Sequence, residues 1–143
     1  EASRATRILF TRCDQAGDLA KVEAELGAVC PGIPQRRTEH RPVSLIRLDD
    51  GAELPVNSIG GKDIDVLCGI AQPHAFVATL AGLGASVRKR IFLRDHARPE
   101  MRRDGERPLI ITEKDAIKLA APLSNAYALR IEIADCKYLA KTN

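Results

Sequence analysis

Asp65-Val66-Leu67-Cys68-Gly69-Ile70-Ala71-Gln72-Pro73-His74-Ala75-Phe76 is the stretch that decides the fold. Val66, Leu67 and Cys68 form a short apolar run closed by a glycine, which reads as a buried strand. Gln72 stands at a capping position, and Pro73 suits the first turn of a helix, where its missing N–H costs nothing. Phe76, Val77, Leu80 and Leu83 then recur at three- and four-residue spacing, so one helix face is apolar. Gly84 can adopt the left-handed conformation that ends the helix. A strand, a glycine turn and a helix start make half of a βαβ unit. In open α/β sheets, ligands bind outside the carboxyl ends of such strands.

Working outward, the same alternation recurs. Upstream, Ile8-Leu9-Phe10 reads as a buried strand running into the polar loop Thr11-Arg12-Cys13-Asp14-Gln15. Asp18 caps a helix striped with Leu19, Val22, Leu26 and Val29, and Pro31-Gly32 stops it. Arg36 to His40 reads as a second strand, broken by Arg41-Pro42. Ser44 to Leu48, the turn Asp49-Asp50-Gly51 and Leu54 to Val56 form a hairpin. Asn57 to Lys62 is a glycine-bearing connector and the candidate domain boundary. Downstream, Ser86 to Leu93 is a strand, Arg94 to Pro108 a polar loop, and Leu109-Ile110-Ile111 a buried strand. Thr112 caps the next helix while Asp115 reaches back, and Ile117 and Leu119 continue it to Pro122. Tyr127 to Ile133 alternates as a half-exposed strand, and the tail after Asp135 is frayed or helical. Strands alternating with helices predict a mainly parallel, three-layer α/β sheet.

Composition narrows the function. The chain has 143 residues, enough to bury a core, with only 3% aromatic residues, so aliphatic side chains must fill it. A net charge of +3 and few stacking aromatics argue against nucleic acid. Arg88, Lys89, Arg90, Arg94, Arg98, Arg102 and Arg103 concentrate positive charge locally. They form either a solvated basic edge or a patch facing phosphate or anionic lipid. Cys13, Cys30, Cys68 and Cys136 have neither Cys-x-x-Cys spacing nor a histidine at zinc-ligand spacing, so no metal site is predicted. Free thiols fit a cytoplasmic setting. No apolar run approaches the roughly 20 residues of a membrane span, and no signal peptide is recognisable. The chain opens on Glu1 rather than Met and so reads as part of a longer protein.

The candidate chemistry is modest. Gly60-Gly61-Lys62 has the wrong spacing for a phosphate loop, and Asp63 stands where Ser or Thr belongs. Asp95-His96 follows a strand, and a histidine beside a carboxylate can carry a proton or orient another acid. His40 and His74 have less support. Thr112-Glu113-Lys114-Asp115 is a capping box, or an anion site at a helix start with Lys114 and Lys118 adding charge.

In order along the chain stand Gly69-Ile70, Pro73, Phe76, Leu80 and Leu83-Gly84, then Asp95-His96, then Thr112-Glu113-Lys114-Asp115-Ala116-Ile117-Lys118. Together they resemble the C-terminal half of the lipid A tetraacyldisaccharide 4'-kinases. Ile8 to Asp14 and His40-Arg41-Pro42 are similar to that family too, so the resemblance runs from about Arg4 to Ile133. It implies transfer of the ATP γ-phosphate, with Mg²⁺, to the 4'-hydroxyl of the tetraacylated disaccharide precursor of lipid A. The setting implied is the cytoplasmic face of the inner membrane, with the enzyme peripheral to it. It also implies two α/β lobes joined by a two-stranded β linker. On this sequence that makes 1–42 the tail of the nucleotide-binding lobe, 43–62 a β-hairpin linker and 63–143 the C-terminal lobe. His96 is then the catalytic helper, oriented by Asp95, while Gly69, Thr112, Lys114 and Asp115 shape the substrate cleft. The family's phosphate loop, Mg²⁺ carboxylates and catalytic aspartate belong to a lobe this sequence does not include. Ala97 follows Asp95-His96 where His or Tyr is common, Arg94 replaces a proline, Ala71 replaces a glycine, and the loop from Ala97 to Pro108 is short. A divergent kinase, a relative with altered function and a non-catalytic module binding a phosphorylated or nucleotide ligand all stay open at this point.

Overall fold

A computed structural model of the chain describes residues 4–13, 17–94, 105–119, 121 and 123–136. The fold is mixed α/β, and two compact units are resolved: 42–131, and 1–41 together with 132–143.

The larger unit is built on the strand–turn–helix stretch. β4 (Asp63–Cys68) leads into α2 (Pro73–Gly82), and β5 (Ser86–Phe92) returns parallel to β4. β6 (Leu109–Thr112) pairs in parallel on the other side of β4, and β7 (Ala126–Asp135) pairs in parallel with β6. Beyond β7 lies the hairpin of β2 (Gln35–Arg47) and β3 (Glu53–Pro55), with Leu45 opposite Leu54. Gly51, with φ of +73°, closes its turn, where the Asp50 carboxylate accepts from the Ala52 N–H at 2.9 Å. The left-handed backbone there favours glycine because a Cβ would clash.

The central strands read as unbroken apolar runs because both of their faces are covered. Ile64, Val66, Cys68 and Ile110 face one cluster, which Phe76 and Leu80 of α2 complete. Leu67, Leu109 and Ile111 face the other, with Leu123 and Ala126. At the amino end of β4, Asp65 is buried and bonded by Arg107 at 2.8 Å, so its charge is matched. The connector at Gly60-Gly61 is a tight turn: Gly61 has φ of +71° and donates its N–H to the Gly84 carbonyl at 2.8 Å. A Cβ on Gly60 would lie 3.2 Å from the Asn57 carbonyl oxygen. Backbone packing against the end of α2 accounts for these glycines.

In the smaller unit, β1 (Ile8–Phe10) pairs in parallel with the start of β2, and α1 (Leu19–Val29) joins them. Asp18 caps α1 by accepting from the Lys21 N–H at 3.1 Å. Glu23 of α1 is ion-paired with Arg37 of β2.

Several sequence expectations need correcting. Pro42 does not break β2, which runs unbroken from Gln35 to Arg47. Residues 35–37 pair with β1 and 44–46 with β3, so Pro42 lies outside both of these registers and its missing N–H removes no bond from either. The strand Ile8–Phe10 is not buried throughout: Leu9 is 48% exposed, since β1 pairs on one side only. Helix α1 buries none of its residues fully, and Val22 and Val29 are exposed. The helix α3 after Thr112 spans only Glu113–Ala116, and Ile117 projects into solvent. Gln72 occupies the N-cap of α2 without a side-chain capping bond.

Candidate functional site

Three strand ends meet at one level of the larger unit. Leu67 pairs with both Ile91 and Ile111, which sets Cys68, Phe92 and Thr112 side by side at the carboxyl rim. Thr112 turns from β6 straight into α3. Its backbone is extended and its hydroxyl accepts from the Asp115 N–H at 3.2 Å, the expected cap.

Asp115 does more than complete that cap. Its carboxylate is fully buried and accepts two hydrogen bonds at Oδ2, from the Thr112 hydroxyl at 2.6 Å and from the Gly69 N–H at 2.7 Å. Asp115 Oδ1 accepts no hydrogen bond, and the Lys118 ammonium stands 3.5 Å from it as an ion pair. A buried carboxylate held at one oxygen by a backbone N–H and a hydroxyl, with a cation near the other, is a structural anchor. The helix start is therefore occupied by the chain's own groups, and a four-residue α3 offers no separate anion site.

Gly69 sits where a side chain would be tightly crowded. A Cβ there would lie 3.1 Å from Asp115 Oδ1 and 3.2 Å from the Leu93 Cβ. The turn after β4, the end of β5 and the start of α3 thus converge on one point. Cys68 lies directly beneath. Burial pushes its thiol up to about 11, and the negative charge of Asp115 adds to the shift. This thiol is not a nucleophile near neutral pH.

Gly69, Thr112 and Asp115, singled out in the sequence, are brought together. Lys114 is exposed on α3 instead, and Lys118 is the lysine that reaches the carboxylate. The helical spacing of Asp115 and Lys118 is the signal that could have found it. Leu93 was missed because nothing local marks it. Asp95 and His96 lie outside the described residues. His74 stacks edge-to-face on Phe92 with ring centroids 5.4 Å apart, a packing role. At Thr11-Arg12-Cys13, Arg12 has φ of +56° and the Cys13 thiol donates to the Phe10 carbonyl, a strand-end turn. Among the described residues no cluster of three potential metal ligands occurs.

The fold is a mixed α/β domain with this anchor at the carboxyl ends of parallel strands. The sequence profile of the tetraacyldisaccharide-1-P 4'-kinase family matches residues 1–140, and the chain belongs to that family. Tetraacyldisaccharide 4'-kinase of Pelobacter propionicus is 28% identical over 128 residues, covering 82% of this chain and 34% of the relative. That of Chromobacterium violaceum is 33% identical over 118 residues, covering 78% and 34%. That of Aeromonas salmonicida reaches 48% identity over 61 residues, covering 40% and 18%. The chain thus spans about a third or less of the length of these three relatives. A crystal structure of the "apo" form of LpxK from Aquifex aeolicus in complex with ATP has a similar fold. Its TM-score is 0.59 at 19% identity, over 88% of this chain and 46% of that one.

Proposed function

We propose that this chain is a lobe of an ATP-dependent kinase that phosphorylates the 4'-position of the tetraacyldisaccharide 1-phosphate precursor of lipid A. The observation that carries the reading is the family match over 1–140, which runs through the rim where Gly69, Thr112 and Asp115 meet. In this reading 1–42 is the tail of a nucleotide-binding lobe of phosphate-loop type. Residues 43–62 are a β-hairpin linker, and 63–143 form the three-layer C-terminal lobe. The pairing of 44–46 with 53–55 supports the hairpin. The reaction takes place at the cytoplasmic face of the inner membrane, to which the enzyme is peripheral. No described helix is long and apolar enough to cross a membrane.

Phosphoryl transfer depends on positioning and on electrostatic stabilisation of the transferring group. The described residues do not form a phosphate cradle, because Gly60-Gly61 is committed to its turn with Gly84. ATP and Mg²⁺ are therefore held by other residues. His96 supports the catalytic base and Asp95 orients it. The Asp115–Gly69 anchor fixes the turn after β4 at the cleft, with Thr112 and Lys114 shaping its wall.

The test is transfer of labelled phosphate from ATP to the tetraacyldisaccharide 1-phosphate by the complete gene product and its His96→Ala variant. Transfer that falls at least about a hundredfold in the variant is expected for a general acid–base helper. Unchanged transfer in the variant overturns the role of His96. Substrate binding without turnover by the unmodified protein overturns the kinase reading in favour of a binding module.

A further inference from the structure

The chain changes direction between β4 and β6. After β4 it crosses through α2 to β5, and Phe76 and Leu80 of α2 pack with Val66 and Cys68. After β6 it leaves through α3 toward β7, and Ala116 and Leu119 pack with the opposite cluster, around Leu67 and Ile111. β4 and β6 are neighbours, so their outgoing connections run in opposite directions over opposite faces. Such a switch point opens a crevice at the carboxyl ends, where open α/β sheets take their ligands. Gly69 and Asp115 meet at this point.

Lys118 is the cation held beside them. Its ammonium stands 3.5 Å from Asp115 Oδ1, which would lie 3.1 Å from a Cβ on Gly69. The Lys118 side chain is only 28% exposed, so the buried carboxylate keeps it against the strand ends. No N–H of that ammonium makes a hydrogen bond among the described residues, and Asp115 Oδ1 accepts none. Lys114, exposed and without an ion pair among the described residues, adds positive charge on the same short segment.

A counter-charge for the buried carboxylate accounts for where Lys118 lies. It does not account for an ammonium fixed at a switch point with its donors unused. Lysine meets phosphate as a compact point charge with several donors, and holding it in place beforehand lowers the entropy lost on binding. We infer that Lys118 binds a phosphate group of the ligand at this switch point, with Asp115 as its positioning residue. This role deepens the kinase reading and rests on it for the choice of ligand, since ATP and the disaccharide 1-phosphate both carry phosphate.

The test is titration calorimetry of the complete gene product with three ligands: Mg²⁺-ATP, the tetraacyldisaccharide 1-phosphate in micelles, and the same disaccharide without its phosphate. Lys118→Gln should weaken one of the two phosphate ligands at least about tenfold, the loss of a charged hydrogen bond. The ligand that weakens names the phosphate. Lys118→Arg keeps charge and donors and should recover most of the affinity. A second measurement uses the unmodified protein and so does not depend on how the variants fold. Saturating phosphate ligand should slow acylation of Lys118 by an amine reagent severalfold, and leave that of exposed Lys62, just before β4, unchanged. Acylation of Lys118 that neither ligand slows overturns the inference. So does a folded Lys118→Gln protein that binds both phosphate ligands as the parent does, or that loses the phosphate-free disaccharide equally. Binding that needs Lys118 without any phosphate transfer would leave the inference standing and remove the kinase reading alone. Phosphate transfer together with binding that ignores Lys118 would do the reverse.

Discussion

Asp115 and Gly69 are 46 residues apart, yet the carboxylate of one accepts the backbone N–H of the other at 2.7 Å. This bond closes the rim between β4 and β6. It also explains why the turn after β4 is a glycine, since a Cβ would press on both Asp115 and Leu93.

Gly69→Ala should therefore destabilise the protein by about 1–3 kcal/mol through overpacking. Neither neighbour is the loose end of a flexible side chain, so relief requires movement of the rim itself. Denaturant unfolding of the variant measures the effect. A midpoint unchanged from the parent would mean that the turn yields freely.

Thr112→Ala should cost on the order of 1 kcal/mol from loss of the cap. It also removes one of the two donors to the buried Asp115 carboxylate. Thr112→Ser keeps the hydroxyl and should retain most of the stability. Thermal melts of the two variants should separate, with the alanine form lower.

Asp115→Ala should be the more severe change, on the order of 2 kcal/mol or above. It leaves the Gly69 N–H, the Thr112 hydroxyl and the Lys118 ammonium without their shared acceptor. Amide exchange at Gly69, slow in the parent, should accelerate in the variant.

Cys68 makes stability fall on the alkaline side. Its thiol titrates near 11 in the folded chain against about 9 when unfolded, so the unfolded state releases its proton first. The contribution is complete below about pH 9 and is lost as pH rises toward 11, on the order of 2 kcal/mol in all. Cys68→Ala should flatten that part of the stability–pH curve relative to the parent. At pH 8 the native thiol should stay inert to a thiol reagent until the protein unfolds.

Glu23 acts on the acid side. The Arg37 hydrogen bonds, and then its charge, hold the Glu23 carboxyl below its usual range despite partial burial. A depressed carboxylate stabilises above its unfolded value near 4.5 and loses that contribution as pH falls through the folded one. Glu23→Gln should show a shallower acid-side loss of helix signal by circular dichroism.

The strand–glycine–helix stretch from Asp65 to Gly84, the cap at Thr112 and the apolar run at Leu109 were legible in the sequence. Each depends on neighbours a few residues away: a helical period, a proline at a first turn, a hydroxyl three residues from an N–H. Gly69, Thr112 and Asp115 could be named as candidates for the same reason, but not as partners. Tertiary structure alone decided that Asp115 reaches across to Gly69, that Lys118 rather than Lys114 completes the anchor, and that Leu93 closes on the same point. Strand order brings these groups together, and no local signal encodes which strand ends become neighbours. Pro42 shows the same limit from the other side. Its ring forbids one donor, but whether that breaks a strand depends on which ladders run past it, and here neither the β1 nor the β3 register includes that position.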